Sequence, residues 1–134
     1  MIVFVYGTLL KGLERSHVLS SSAYLGPALV QAQLFDLGSY PGIGEGNNDV
    51  IGELYEVTPE TLAELDSIEG YFENSPESSL YLRKTLTAQK FADGSTVNAE
   101  SYFYSGPSGD IIEGGDYRSF RIQRERPERQ WIIA

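Results

Sequence analysis

Two short stretches hold residues whose types and spacing suit chemistry. The first is Tyr6-Gly7-Thr8-Leu9, directly after the apolar run Ile2-Val3-Phe4-Val5. A buried strand that runs into a Gly-Thr turn points successive backbone N–H groups at one spot, and such a concavity suits an anion. The second is Glu69, which follows Leu62 by seven residues and Leu65 by four. On a helix those spacings put its carboxyl on the same face as the two leucines, the face turned to the core. Glu69 also falls in the last turn, where the negative end of the helix dipole disfavours a carboxylate. Burial and dipole act in the same direction, so the pKa should rise, and a carboxyl with a raised pKa suits general acid–base work near neutral pH. The competing reading lets a frayed helix end release Glu69 to water. Glu64 and Asp66 flank the stripe and read as solvated.

These residues need elements to hold them. The opening run, rich in β-branched and aromatic residues, reads as a strand buried on both faces. Residues 14–20 read as a short helix containing His17, the only imidazole. With no visible Asp or Ser partner, His17 reads as structural. Residues 23–37 alternate, with Ala28, Val30, Ala32, Leu34 and Leu37 on one side, and predict a half-buried strand. The composition Gly38-Ser39-Tyr40-Pro41-Gly42, followed by Gly44, Gly46, Asn47, Asn48 and Asp49, predicts a loop. A loop with an aromatic and a rigid Pro is a place to look for site-lining residues, here Gly38, Ser39 and Tyr40. Residues 50–57 predict a strand. The helix carrying Glu69 is well marked: Thr58 as cap, Pro59 at the first position, Glu60 in the first turn and Gly70 as the stop. Residues 73–79 are loop. Residues 80–89 and 96–104 flank the turn Ala92-Asp93-Gly94-Ser95 and predict a hairpin. Residues 106–115 are loop again, and 130–133 read as a short terminal strand. With no linker or repeat, the whole of 1–134 reads as one α+β domain, a small mixed β-barrel with peripheral helices.

Composition narrows the function. The 134 residues contain no Cys and one His, which removes thiolate nucleophiles, disulfides and the usual ligands of transition metals. A net charge of −9 speaks against nucleic acid or an anionic membrane as partner. The absence of any apolar run of spanning length or leader-like N-terminus points to a cytoplasmic protein. The basic residues are uneven: Arg118, Arg121, Arg124, Arg126 and Arg129 make up five of the ten. They read as a solvated edge pairing with the acidic body. No apolar patch is marked, so the expected state is a monomer or weak homodimer.

Tyr6-Gly7-Thr8-Leu9, Tyr40-Pro41, Gly52-Glu53-Leu54-Tyr55, Leu65-Asp66-Ser67-Ile68-Glu69-Gly70-Tyr71 and Tyr81-Leu82-Arg83 occur in that order. The ordered set resembles the gamma-glutamylcyclotransferase-like family, in particular the small bacterial members related to gamma-glutamylamine cyclotransferase. The later Ile112-Glu113-Gly114-Gly115-Asp116-Tyr117 is similar to a family pattern that commonly has Trp where Tyr117 stands. The resemblance implies a small barrel with one pocket. Backbone N–H groups of Tyr6 to Leu9 would hold the substrate's anionic group, and Glu69 would be the acid–base. Tyr40, Tyr71 and Tyr104 would shape the wall. It implies a cyclotransferase without metal or cofactor, acting on a small γ-glutamyl substrate to release 5-oxoproline and an amine or amino acid. In that reaction the amides near Gly7 or Gly38 would stabilise the oxyanion. A non-enzymatic member of the same fold, binding a small metabolite or mediating an interaction, is the alternative; an unrelated barrel that docks a basic partner is a third.

Overall fold

The computed structural model describes residues 1–107 and 109–125. Among them six strands form one sheet. They are β1 (Ile2–Val5), β2 (Ala23–Asp36), β3 (Pro41–Glu56), β4 (Tyr81–Lys90), β5 (Thr96–Tyr104) and β6 (Asp110–Ile111). β1 pairs antiparallel with β3 and parallel with β5. β5 pairs with β4, β4 with β2, and β2 returns to β3, all antiparallel. The ring β1-β3-β2-β4-β5 is a closed, mixed five-stranded barrel, with β6 added to the outer end of β2. Closure leaves β1 no free edge. That is why its run is apolar on both faces, with Val3, Phe4 and Val5 all buried.

In β2 the expected alternation is present, with Ala28, Val30, Ala32 and Leu34 facing the core. Leu37 lies one residue past the strand.

The glycine-rich segment expected as a loop is instead the first half of β3. Pro41 pairs with Asp36, Gly42 with Phe35, Ile43 with Leu34 and Gly44 with Gln33, and a register shift then restores pairing at Asn48. Only the tight connection at Gly38-Ser39-Tyr40 remains of that loop. The glycines are there for proximity: a Cβ on Gly42 would sit 2.7 Å from Cβ of Tyr104, and one on Gly46 would sit 2.9 Å from Cβ of Gln33. Composition that mimics a flexible loop is here a strand packed too closely for side chains.

Two helices lie on the barrel: α1 (Pro59–Glu69) and α2 (Tyr117–Glu125). The Thr58 side chain accepts the Thr61 N–H, Pro59 opens α1, and Leu62 and Leu65 are its buried residues. The expected helix at 14–20 is a single 3₁₀ turn, Ser16–Leu19, with His17 exposed. α2 was not expected. Its apolar anchor is Tyr117, fully buried, with Phe120 stacked on it at 6.2 Å between ring centroids. The terminal strand expected at 130–133, with Arg126 and Arg129, lies outside the described residues. Among the described residues no helix is long and apolar enough to cross a membrane.

Candidate active site

The end of α1 decides what Glu69 can do. Gly70 adopts φ +66°, its N–H donates to the Ser67 carbonyl (3.2 Å), and the Tyr71 N–H donates to the Asp66 carbonyl (2.9 Å). This pair of bonds closes the helix with its orphan carbonyls satisfied, so the end does not fray. The Gly70 carbonyl accepts the Leu80 N–H at 2.9 Å, which ties the end of α1 to the entry of β4. Held in this way, Glu69 faces a recess between α1, the turn after β1, and the start of β4. Its lining includes Tyr6, Gly7, Thr8, Leu9, Arg15, Tyr40, Pro41, Ile68, Tyr81 and Tyr102.

Burial pushes the Glu69 carboxyl up to about 7, and the positive charge of Arg15 opposes that rise. A group at that value is divided between acid and base at neutral pH. Three of the neighbouring phenols are committed elsewhere. Tyr6 donates to the Tyr102 carbonyl (2.7 Å), Tyr81 to the Pro41 carbonyl (2.6 Å) and Tyr102 to Oδ1 of Asp66 (2.7 Å). Burial raises the pKa of all three phenols, foremost among the causes, so they keep their protons. Among the described residues Glu69 is the one carboxyl in the lining.

The turn after β1 is pinned by two bonds: Leu10 N–H to the Gly7 carbonyl (3.0 Å) and Arg15 N–H to the Thr8 carbonyl (2.9 Å). Leu9 and Leu10 anchor it in the core. Among the described residues the N–H groups of Gly7, Thr8 and Leu9 make no hydrogen bond. Gly7 is glycine because of its neighbour: a Cβ would sit 2.8 Å from Cγ of Pro41, and its φ is not left-handed.

Of the residues singled out in the sequence, the recess brings together Tyr6, Gly7, Thr8, Leu9, Tyr40 and Glu69. Gly38, Ser39, Tyr71 and Tyr104 are not in its lining. Gly38 and Ser39 are exposed at the β2–β3 turn, where the Gly38 N–H donates to Oδ1 of Asp36. That amide is therefore spoken for, which removes it as an oxyanion donor. Tyr104 packs edge-on behind Tyr81 at 5.6 Å, a second layer of the wall. Tyr71 lies under the guanidinium of Arg83 at 5.4 Å.

Asp66, expected in solvent, is instead part of a network. It accepts from Tyr102, and Nε of Arg83 lies 3.0 Å away, close enough for an ion pair although not aligned for a hydrogen bond. Arg83 also reaches Oε1 of Glu100 at 3.0 Å. Helix periodicity gives no sign of partners arriving from β4 and β5. Arg15 and Tyr81 line the recess without having been singled out; Tyr81 stood in a motif, whereas Arg15 carried no local signal. Among the described residues no three His, Asp or Glu side chains converge to hold a metal ion.

A small closed barrel thus carries a recess in which a carboxyl of raised pKa stands beside a turn whose amides make no hydrogen bond among the described residues, and the relatives of this chain are enzymes of the cyclotransferase type. The gamma-glutamyl cyclotransferase, AIG2-like family matches residues 3–119, and the chain belongs to that family. A protein of Methanocaldococcus jannaschii, provisionally named a gamma-glutamylcyclotransferase, is 31% identical over 89% of this chain and 97% of its own length. The gamma-L-glutamyl-butirosin B gamma-glutamyl cyclotransferase of Niallia circulans is 34% identical over 90% of this chain and 78% of its own. The solution structure of the Escherichia coli protein ytfP superposes with a TM-score of 0.64 at 32% identity, covering 90% of this chain and 99% of that one.

Proposed function

We propose that the protein is a γ-glutamyl cyclotransferase in which Glu69 is the acid–base. The observation that carries this reading is a carboxyl raised to about 7 in a recess that also contains the open amides of Gly7, Thr8 and Leu9. The substrate's α-carboxylate binds those amides. Its α-amino group then faces Glu69.

The α-nitrogen, once neutral, attacks the γ-carbonyl carbon and forms the ring C–N bond. The carbonyl π pair moves to oxygen, and an amide of the turn stabilises the oxyanion. Glu69 takes a proton from the ring nitrogen and hands it to the leaving nitrogen as the old C–N bond breaks. One further proton leaves the α-ammonium before attack, and one joins the released amine afterwards, so the proton count balances. The products are 5-oxoproline and an amine. Nucleophile and electrophile lie on one molecule, so holding the folded conformer removes most of the entropic barrier. The tyrosine ring wall of Tyr6, Tyr40 and Tyr81 excludes water.

The test is release of 5-oxoproline from a panel of γ-glutamyl amines and amino acids by wild type and Glu69→Gln. Turnover by wild type and its loss in a folded Glu69→Gln supports the reading. Turnover that survives the substitution removes Glu69 from its role. Binding without turnover in wild type supports a metabolite-binding protein instead.

A further inference from the structure

We propose that Arg15 selects the leaving group by receiving a carboxylate on its amine half, so that γ-glutamyl amino acids are preferred over γ-glutamyl alkylamines. The proposal rests on the γ-glutamyl reading above and extends it to the half of the substrate that reading leaves open.

Among the described residues two charged side chains line the recess, Glu69 and Arg15. The other arginines among the described residues each have a carboxylate within 4 Å: Arg83 has Asp66 and Glu100, Arg118 has Glu53, Arg121 has Glu14 and Glu125, and Arg124 has Asp36. Arg15 has none among the described residues, although it is partly buried and its backbone is tied to the turn through Thr8. A guanidinium held in a recess without a counter-ion calls for an anionic ligand, and its planar fork fits a carboxylate bidentately.

The substrate's own charges say which anion it is. The α-carboxylate is taken by the turn amides and the α-ammonium by Glu69. When Glu69 accepts the proton it becomes neutral, and Arg15 is then left as an uncompensated charge in the lining. The leaving half projects beyond the γ-carbonyl toward the mouth. Arg15 lines the recess together with Tyr40, Leu80 and Tyr81, and its charge is felt by Glu69 and Tyr81. Tyr81 neighbours Tyr40 and the 42% exposed Leu80, which mark the opening. A chain of net charge −9 repels anions at long range, so a local cation at the mouth is needed to admit one.

The test uses two substrates that differ in a single group. γ-Glutamyl-ethylamide is γ-glutamyl-alanine without the alanine carboxylate. Release of 5-oxoproline from each is measured with wild type, Arg15→Gln and Arg15→Lys across a pH series. The expected wild-type preference for γ-glutamyl-alanine is tenfold or more in kcat/KM, expressed in KM. Arg15→Gln should bring that ratio toward one, and Arg15→Lys should restore part of it. Equal losses on both substrates would overturn the proposal, because Arg15 would then hold the α-carboxylate or act only on Glu69. A common displacement of the pH profile identifies the second of these. A wild type that prefers the ethylamide overturns it as well.

Calorimetric binding of both compounds to Glu69→Gln, with and without Arg15→Gln, separates this failure from failure of the γ-glutamyl reading. Tighter, Arg15-dependent binding of γ-glutamyl-alanine supports the selector even where turnover is absent. Binding of neither compound, with no turnover, overturns both proposals.

Discussion

The recess and the α2 face use charge in opposite ways. On α2, Arg118 reaches Glu53 (3.2 Å) and the Lys11 carbonyl (2.8 Å). Arg121 reaches Glu14 (2.7 Å) and Glu125 (3.1 Å), and Arg124 reaches the Gly38 carbonyl (3.2 Å). Each arginine is answered, and together they lace the helix to two loops. In the recess Glu69 and Arg15 make no ion pair among the described residues, and the phenols of Tyr6, Tyr81 and Tyr102 are spent on backbone and Asp66. Charges that find partners lose their reactivity and become fasteners. Charges kept apart in a poorly solvated hollow retain their free energy for a ligand or a proton. The number of arginines on a face is thus a poor guide to function.

The largest expected break of this contrast is Glu69→Gln, which removes the titrating group and leaves the shape. It should lower kcat by about 10²–10⁴-fold, as expected for a lost general acid–base, measured by single-turnover release of 5-oxoproline. The same carboxyl should also leave a mark on stability. It titrates at 4.5 in the unfolded chain and at about 7 in the fold. Between those values the folded state holds the proton more tightly, so stability falls as pH rises through the window. Glu69→Gln should therefore be more stable than wild type at pH 8, by on the order of 2–3 kcal/mol, and nearly equal to it at pH 4.5. Urea denaturation at the two pH values checks this, and equal gains at both would show that Glu69 does not titrate as described.

Asp66→Asn tests a carboxylate that borders the recess but is paired. Arg83 keeps Glu100, and the amide still accepts from Tyr102, so a loss of roughly 1–2 kcal/mol is expected. It would appear as a lower denaturation midpoint at unchanged slope. The smallest effect belongs to Arg121→Gln on α2, where Glu14 is half exposed. Such pairs contribute about 0–1 kcal/mol, and the difference from wild type should vanish in 0.5 M salt. A loss of several kcal/mol there would collapse the distinction between the two regions.

What could be read in advance follows the same division between local and distant causes. The cap at Thr58, the stop at Gly70 and the leucine spacing are local, and they placed α1 and the face of Glu69 correctly. The turn Ala92-Asp93-Gly94-Ser95 likewise located the β4–β5 hairpin. β3 was misjudged because glycine is ambiguous: chain freedom and tight packing call for the same residue, and Tyr104, Leu37 and Gln33 settle the matter from afar. α2 was missed since Tyr-Arg-Ser-Phe-Arg-Ile-Gln-Arg-Glu is mostly polar and its one fully buried residue, Tyr117, gives no stripe. Asp66 and Arg15 depend on strands and loops that meet only in three dimensions. The recess was half legible: its carboxyl and turn were, its cation was not.

The pairing of β1 with β5 sets a timetable for the chain. Val3 registers with Glu100, the Ser101 hydroxyl donates to the Phe4 carbonyl at 2.8 Å, and Tyr6 is fixed by Tyr102. β1 must wait for β5, about a hundred residues further along the chain, before its second edge is covered. Contacts so distant in sequence form late and slow the search. Until then Ile2–Val5 is an apolar strand with an open side, the kind that recruits other chains. A chain that stalls before β5 keeps that side open, and pulse-labelled hydrogen exchange during refolding should show the β1 amides that face β5 protected no earlier than the amides of β5 itself.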